Sequence, residues 1–386
     1  MPSKRSEIDS FLAMDVLAEA NRRRKAGRPV LSLAVGQPSH PAPDRALEAA
    51  RAALDHGRLG YTDAFGLQSL REAIARDYRV RMGVDVDPAR IAVTTGSSAG
   101  FNLAFLALFD AGDAVAIARP GYPAYRNILK ALDLKVVEVE ANERHAFTLT
   151  PEALEEAERI EGVAIKGVLL ASPANPTGTV TGRAALKRLA DWCEARGTAF
   201  ISDEIYHGLV FSGAEATALS FTDAAVVINS FSKYYCMTGW RVGWMVLPEK
   251  LVRVFEQLAQ NIYISAPELS QIAAEAALDA RPQLDGYRAI YRANRDFLIR
   301  ALPEIGLPVV SPMDGAFYAY VDVSGYSNDS VAFSRKMLAE IDVAATPGAD
   351  FDPLTGDRYL RLSYAGTEAE IRQAVERMGN WLPQKG

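Results

Sequence analysis

The chain has 386 residues, of which 49% are hydrophobic, 9% aromatic and 23% charged, and its net charge is −6. That balance is ordinary for a globular protein and too apolar for a disordered one, and an acidic chain without a block of like charge excludes a general nucleic-acid binder. Two cysteines, Cys193 and Cys236, are too few for a disulfide scaffold or a Cys-rich zinc site and are expected to be buried thiols.

At roughly 150 residues per domain, the length predicts two or three domains. The N-terminus, MPSKRSEIDSF, carries no apolar run of the kind a secretory signal needs, and stretches such as Ala104–Phe109 are far short of a membrane span. The expectation is a soluble protein of a reducing compartment, the cytoplasm, with no membrane and no nucleic-acid partner. Residues 1–45 are proline-rich from Pro29 to Pro43 and are expected to form an arm that packs on a smaller C-terminal domain.

Residues 46–280 are expected to form the large domain. Short β-branched runs lie at 91–95, 114–118, 135–140, 167–172, 198–204, 225–231 and 241–247. Several are apolar at consecutive positions, which suits strands covered on both faces. Helical patterns fall between them at 97–109, 122–132, 151–161 and 182–196. The alternation predicts an α/β fold with a mostly parallel seven-stranded sheet flanked by helices. From 281 to 386 the texture changes to α+β: a long charged amphipathic helix at 284–302, strand-like runs at 317–323 and 359–365, and a terminal helix at 368–381.

In open α/β sheets, ligands sit beyond the carboxyl ends of the strands, so the residues just after each run carry the chemistry. There is no GxxxxGK[ST], GxGxxG or HExxH, and His40, His56, His145 and His207 lack metal-like spacing, so no metal is expected. Gly96-Ser97-Ser98-Ala99-Gly100 matches a hydrolase nucleophile elbow, which would make Ser98 the nucleophile. Such an enzyme needs a late histidine, and none follows His207. The same segment reads better as an anion site, where small residues at a helix start let backbone N–H groups and the Ser97 and Ser98 hydroxyls approach a phosphate.

Lys233, in Ser230-Phe231-Ser232-Lys233, follows an apolar run and sits beside aromatic residues, with Arg241 eight residues on in Gly239-Trp240-Arg241-Val242-Gly243-Trp244. A lysine so placed is a candidate amine nucleophile toward a carbonyl, and serines with an arginine suit a phosphate. Asp203 ends the preceding run, where a carboxylate needs a partner. One run earlier, Ser172-Pro173-Ala174-Asn175-Pro176-Thr177-Gly178 forms a turn whose Asn175–Pro176 bond is a candidate cis peptide.

Taken in order, Asn175, Asp203, Tyr206, Ser230, Lys233 and Arg241 make the chain resemble the class I/II aminotransferases, the fold-type-I pyridoxal-phosphate enzymes, from Gly36 to Arg361. The resemblance implies that Lys233 holds the cofactor as a Schiff base and that Asp203 pairs with its pyridine nitrogen. It further implies that Asn175 and Tyr206 donate to the ring's phenolic oxygen and that Ser97, Ser98, Ser230 and Arg241 cradle the phosphate. Tyr122 would stack on the ring, at a position where the aspartate enzymes carry tryptophan. Tyr61 would reach the phosphate of a neighbouring subunit in a homodimer. Gly36, Asn175 and Arg361 would bind the substrate, Arg361 gripping its carboxylate bidentately.

The implied reaction moves an amino group between an α-amino acid and a 2-oxo acid by ping-pong steps, with Lys233 as general base. A β-eliminating C–S lyase on the same fold is the nearest alternative. A pyridoxal-phosphate-binding regulator would be expected to carry a DNA-binding segment, for which this chain has no room. The Ser98 hydrolase is the weakest reading.

Overall fold

The computed structural model describes residues 2–383. In chain order the elements are α1 (Leu12–Lys25), β1 (Leu31–Ser32), α2 (Asp44–Asp55), α3 (Gln68–Met82), β2 (Ile91–Thr94), α4 (Ser97–Leu108), β3 (Ala114–Arg119), α5 (Pro123–Ala131), β4 (Lys135–Glu140), α6 (Pro151–Glu161), β5 (Ile165–Ala171), α7 (Arg183–Arg196), β6 (Ala199–Asp203), β7 (Val226–Ser230) and β8 (Gly243–Val246). There follow α8 (Val252–Ile262), α9 (Glu268–Leu278), α10 (Arg281–Glu304), β9 (Tyr318–Asp322), α11 (Ser330–Ile341), β10 (Val343–Ala344), β11 (Thr346–Pro347), β12 (Tyr359–Ser363) and α12 (Glu368–Trp381). None of the described helices is long and apolar enough to cross a membrane.

The seven predicted runs form one sheet in the order β2-β8-β7-β6-β5-β3-β4. Its pairs are parallel except those of β8, which runs against both β2 and β7. Sheet position explains the sequence texture. The inner strands β7 and β8 are buried along their whole length, whereas the edge strand β4 alternates with solvent. Burying one such Val, Leu or Ile contributes about 1.5–3 kcal/mol. Arg241, expected inside the last run, lies in the turn before β8 instead.

The N-terminal segment contains a helix, α1, that the proline-rich reading did not anticipate. Its next residues leave the large sheet and pair elsewhere: Leu31 and Ser32 run parallel to Val343 and Ala344. A second small sheet, β11-β12-β9, is antiparallel and built wholly from residues after 316. Through β1 the arm pairs with a strand of the C-terminal part of the chain. The Asn175–Pro176 bond is cis, as are Arg119–Pro120 and Ser172–Pro173. Cys193 and Cys236 are both buried and free, and burial pushes each thiol up to about 12.

Ile228, fully buried at the middle of β7, tests this account of the sheet. Ile228→Ala should destabilise the protein by about 2–5 kcal/mol through the cavity it leaves. A urea titration followed by far-UV circular dichroism reads the effect as a lowered midpoint.

Candidate active site

Five strands deliver their following residues to one rim of the large sheet: β2 to Ser97, β3 to Tyr122, β5 to Asn175, β6 to Tyr206 and β7 to Lys233. β8 runs the other way, so its start, just after Arg241, meets the same rim. The loops enclose a cavity of about 460 Å³ lined by Gly36, Ser97, Ser98, Tyr122, Asn175, Tyr206, Lys233, Arg241 and Arg361 among others. Three of the lining residues are basic and none is acidic, which makes the cavity favour an anion.

The Lys233 amine donates to the Gly36 carbonyl at 2.6 Å and lies over the Tyr206 ring, 5.7 Å from its centroid. Burial, with the Arg361 charge next, lowers its pKa to about 8 against the opposing pull of Asp203. A lysine in that range is available as a nucleophile and a base near neutral pH. Position 36 has room for no side chain, because a Cβ there would fall on the Tyr318 hydroxyl.

Asp203, 2% exposed, ends β6. Its Oδ1 accepts the Ile205 N–H at 3.0 Å and its Oδ2 accepts the Tyr125 hydroxyl. Burial raises its pKa to about 7, and those two hydrogen bonds restrain the rise. Tyr125 lines the cavity while Asp203 lies behind it.

At the opposite end, α4 begins from Gly96 with a φ of 77°. A Cβ at Gly96 would collide with the Arg241 guanidinium. Arg241 has itself a φ of 50°, a left-handed conformation that costs a non-glycine residue roughly 1–2 kcal/mol. Its Nη1 donates to the Thr238 carbonyl at 3.0 Å. Together the two conformations set a guanidinium beside the first turn of α4 and the Ser97 and Ser98 hydroxyls, an arrangement suited to a phosphate.

Arg361, on β12, is 2% exposed. Nη1 donates to the Asn175 side-chain oxygen at 2.9 Å, and Nη2 donates to the Ala34 carbonyl and to Thr346. The guanidinium lies 4.4 Å from the Tyr318 ring centre and 4.7 Å from that of Phe351. Its Nε has no hydrogen-bond partner, and among the described residues it forms no ion pair. A buried cation with an unpaired donor and no ion-pair partner suits a carboxylate.

Besides Asp203, two more predicted residues lie off the cavity wall. Ser230 does not line the cavity; it donates to the Ser232 hydroxyl at 2.9 Å, and Ser232 is the one that lines it. Tyr61 is 83% exposed and away from the cavity within one chain. The cavity contains no histidine among its lining residues, so Ser98 has no base there. The sequence reading missed Tyr125, Ser232, Thr238 and Tyr318, together with Phe11, Ala13, Met14 and Val35. Tyr125 was within reach, since it follows Tyr122 at a helical spacing of three on α5. Tyr318, whose hydroxyl bonds that of Tyr206 at 2.7 Å, carried no local signal.

A family model described as aminotransferase class I and II matches residues 28–378. A valine–pyruvate aminotransferase of Mycobacterium tuberculosis is 47% identical over 385 residues, covering 99% of this chain and 98% of that one. Among solved structures, an aminotransferase from Mycobacterium tuberculosis superposes with a TM-score of 0.96 at 46% identity, covering 99% of both chains. The aspartate aminotransferase from Thermus thermophilus with maleate gives 0.91 at 32% identity, covering 99% of this chain and 100% of that one. With the match spanning the sheet, the cavity and both small sheets, the chain belongs to the class I and II aminotransferase family.

Proposed function

We propose that this aminotransferase uses pyridoxal phosphate, held covalently by Lys233, to move an amino group between an α-amino acid and a 2-oxo acid. The observation that carries the reading is one cavity with an anion end, a low-pKa amine and an unpaired arginine in succession. The donor set fits the cofactor. Ser97, Ser98, Ser232 and Arg241 would hold its phosphate, Lys233 its aldehyde carbon, Tyr122 a ring face, and Asp203 the ring nitrogen. When bound, pyridoxal phosphate supplies a ring that accepts the electron pair left at the substrate Cα.

The rest is the work of this chain. Arg361 grips the substrate α-carboxylate with its spare donor and fixes the direction of the Cα–H bond. Lys233 Nζ, once free, would take the Cα proton and pass it to the cofactor carbon beyond the substrate nitrogen, so that one amine serves first as base and then as acid. The Gly36 carbonyl holds Nζ over the cavity in the meantime. Asp203, fixed by Tyr125 and the Ile205 N–H, supplies the negative charge that keeps a cationic ring nitrogen protonated.

The same reading makes the enzyme a homodimer with shared sites. Tyr61 stands out in solvent, and Leu54 and Leu59, shortly before it in the chain, are 56% and 41% exposed. Ile262 and Ile264, at 50% and 47%, stand on the neighbouring stretch, tied to the first by the Gly60 N–H bond to Glu268. Exposed apolar side chains on these two linked stretches suit a partner copy, and Tyr61 would then reach that copy's cofactor phosphate.

The purified protein should show a visible band on addition of pyridoxal phosphate, and an amino acid without acceptor should bleach it. Lys233→Ala should lose the bleaching and about 10⁴-fold or more of turnover; an active variant would refute the assignment. The capture rate of pyridoxal phosphate by the apoprotein should rise with pH and level off above about 8. The sign follows from the lowered pKa, because the reactive free amine accumulates as pH passes that value. A stopped-flow absorbance profile that keeps rising toward the ordinary lysine range would contradict it. Tyr61→Phe should raise the cofactor's dissociation constant about tenfold, the worth of one hydrogen bond to a charged group, as measured by equilibrium dialysis.

A further inference from the structure

The N-terminal segment supplies the rest of the cavity wall. Phe11, Ala13 and Met14 line the cavity with Val35, and the Phe11 ring meets Tyr122 edge-on at 5.6 Å between centroids. These side chains are apolar. On the reading above, the three cations of the lining would already be engaged, Arg241 with the phosphate, Lys233 with the amine and Arg361 with the α-carboxylate. A charged substrate side chain facing this wall would lose its hydration without gaining a partner.

The segment is tied down at two points. The Asp9 carbonyl accepts Asn127 Nδ2 at 3.2 Å and its carboxylate accepts Lys130 Nζ at 3.0 Å, both on α5. α1 starts without a side-chain cap of its own. Its first amides, Leu12 and Ala13, donate instead to the two carboxylate oxygens of Asp350, each at 3.1 Å. Asp350 is 3% exposed, and its carbonyl accepts Arg126 Nη2 at 3.1 Å. The next residue is Phe351, whose ring faces the Arg361 guanidinium. The carboxylate that caps α1 is thus one residue from the ring that packs on the substrate-gripping arginine.

We propose that residues 9–14 form the side-chain wall of the substrate site, that this wall selects α-amino acids with neutral, apolar side chains, and that Asp350 is its positioning residue. The proposal rests on the aminotransfer reading above. With the α-carboxylate at Arg361 and the amine at Lys233, the apolar lining from the arm is what remains for the third substituent of Cα. Capping α1 from β11's following turn sets how far Phe11 and Met14 stand into the cavity.

The test is the amino-acid half-reaction of the holoenzyme, followed by bleaching of the bound cofactor, with leucine, alanine and aspartate as probes. Leucine should exceed aspartate at least about tenfold in kcat/KM. Phe11→Ala should lower the leucine-to-alanine ratio about tenfold, within the range one hydrophobic contact commands. Asp350→Ala should lower the same ratio chiefly through KM, and Asp350→Asn, which keeps one acceptor, should recover part of it. Aspartate reacting as fast as leucine would overturn the substrate class. An equal loss for leucine and alanine, or an unmoved ratio, would overturn the wall and the role of Asp350. The near-isosteric Asp350→Asn and the part-exposed Phe11→Ala decide the matter even if Asp350→Ala does not fold. A holoenzyme that bleaches with none of the three amino acids overturns the aminotransfer reading itself, a failure common to all probes rather than to their ranking.

Discussion

A guanidinium buried without a counter-charge is the constraint around which this molecule is arranged. Arg361 would be costly to bury alone, and the fold meets that cost with neutral acceptors drawn from three distant stretches. Ala34 comes from the arm, Asn175 from the loop after β5, and Thr346 from β11. Thr346 also donates to Ala34 at 2.7 Å, which closes the set. Two aromatic faces complete the enclosure by offering their negative quadrupoles to the cation. The contacts that enclose Arg361 are therefore also contacts that join the arm to the loops of the large sheet.

A related tension governs Lys233 and Asp203. Burial pushes the amine down to about 8 and the carboxyl up to about 7. For Asp203 the raised pKa favours the fold at low pH, and that support is lost as pH rises through about 7. For Lys233 the lowered pKa penalises the fold below about 8 and relents above it. With the cavity empty the protein always shelters at least one poorly solvated charge. A bound group that answers both charges relieves that strain, so activity and apoprotein stability pull in opposite directions here.

Most of the large sheet was legible because inner strands are buried on both faces and so read as unbroken apolar runs. The site residues after them were legible because each run ends in a burst of Ser, Pro, Asn or Asp. What escaped had no such marking. α1 is polar over much of its length and precedes the proline-rich stretch from Pro29 to Pro43. α2 buries only the small Ala46 and Ala50, and α3 sets Leu70, Ala73, Ile74 and Tyr78 at helical spacing among charged residues. Ser230 and Ser232 could not be told apart by strand alternation, because the strand has ended by Ser232 and the turn decides which hydroxyl faces the cavity. Asp350 caps amides more than 330 residues away, a relation no local pattern encodes.

The single reversed strand, β8, has a consequence for how the chain tolerates change. Because it returns directly beside β7, the stretch from Lys233 to Arg241 is a short local closure that carries two active-site groups at its ends. Both rims of the sheet are made of loops, yet they are not equivalent. The connections before β3, β5 and β6 (109–113, 162–164 and 197–198) lie at the rim away from the cavity. Variation in length can accumulate there at little entropic cost, while the opposite rim is held to fixed spacing. The sheet thus divides the molecule into a face where lineages can diverge and a face where they cannot.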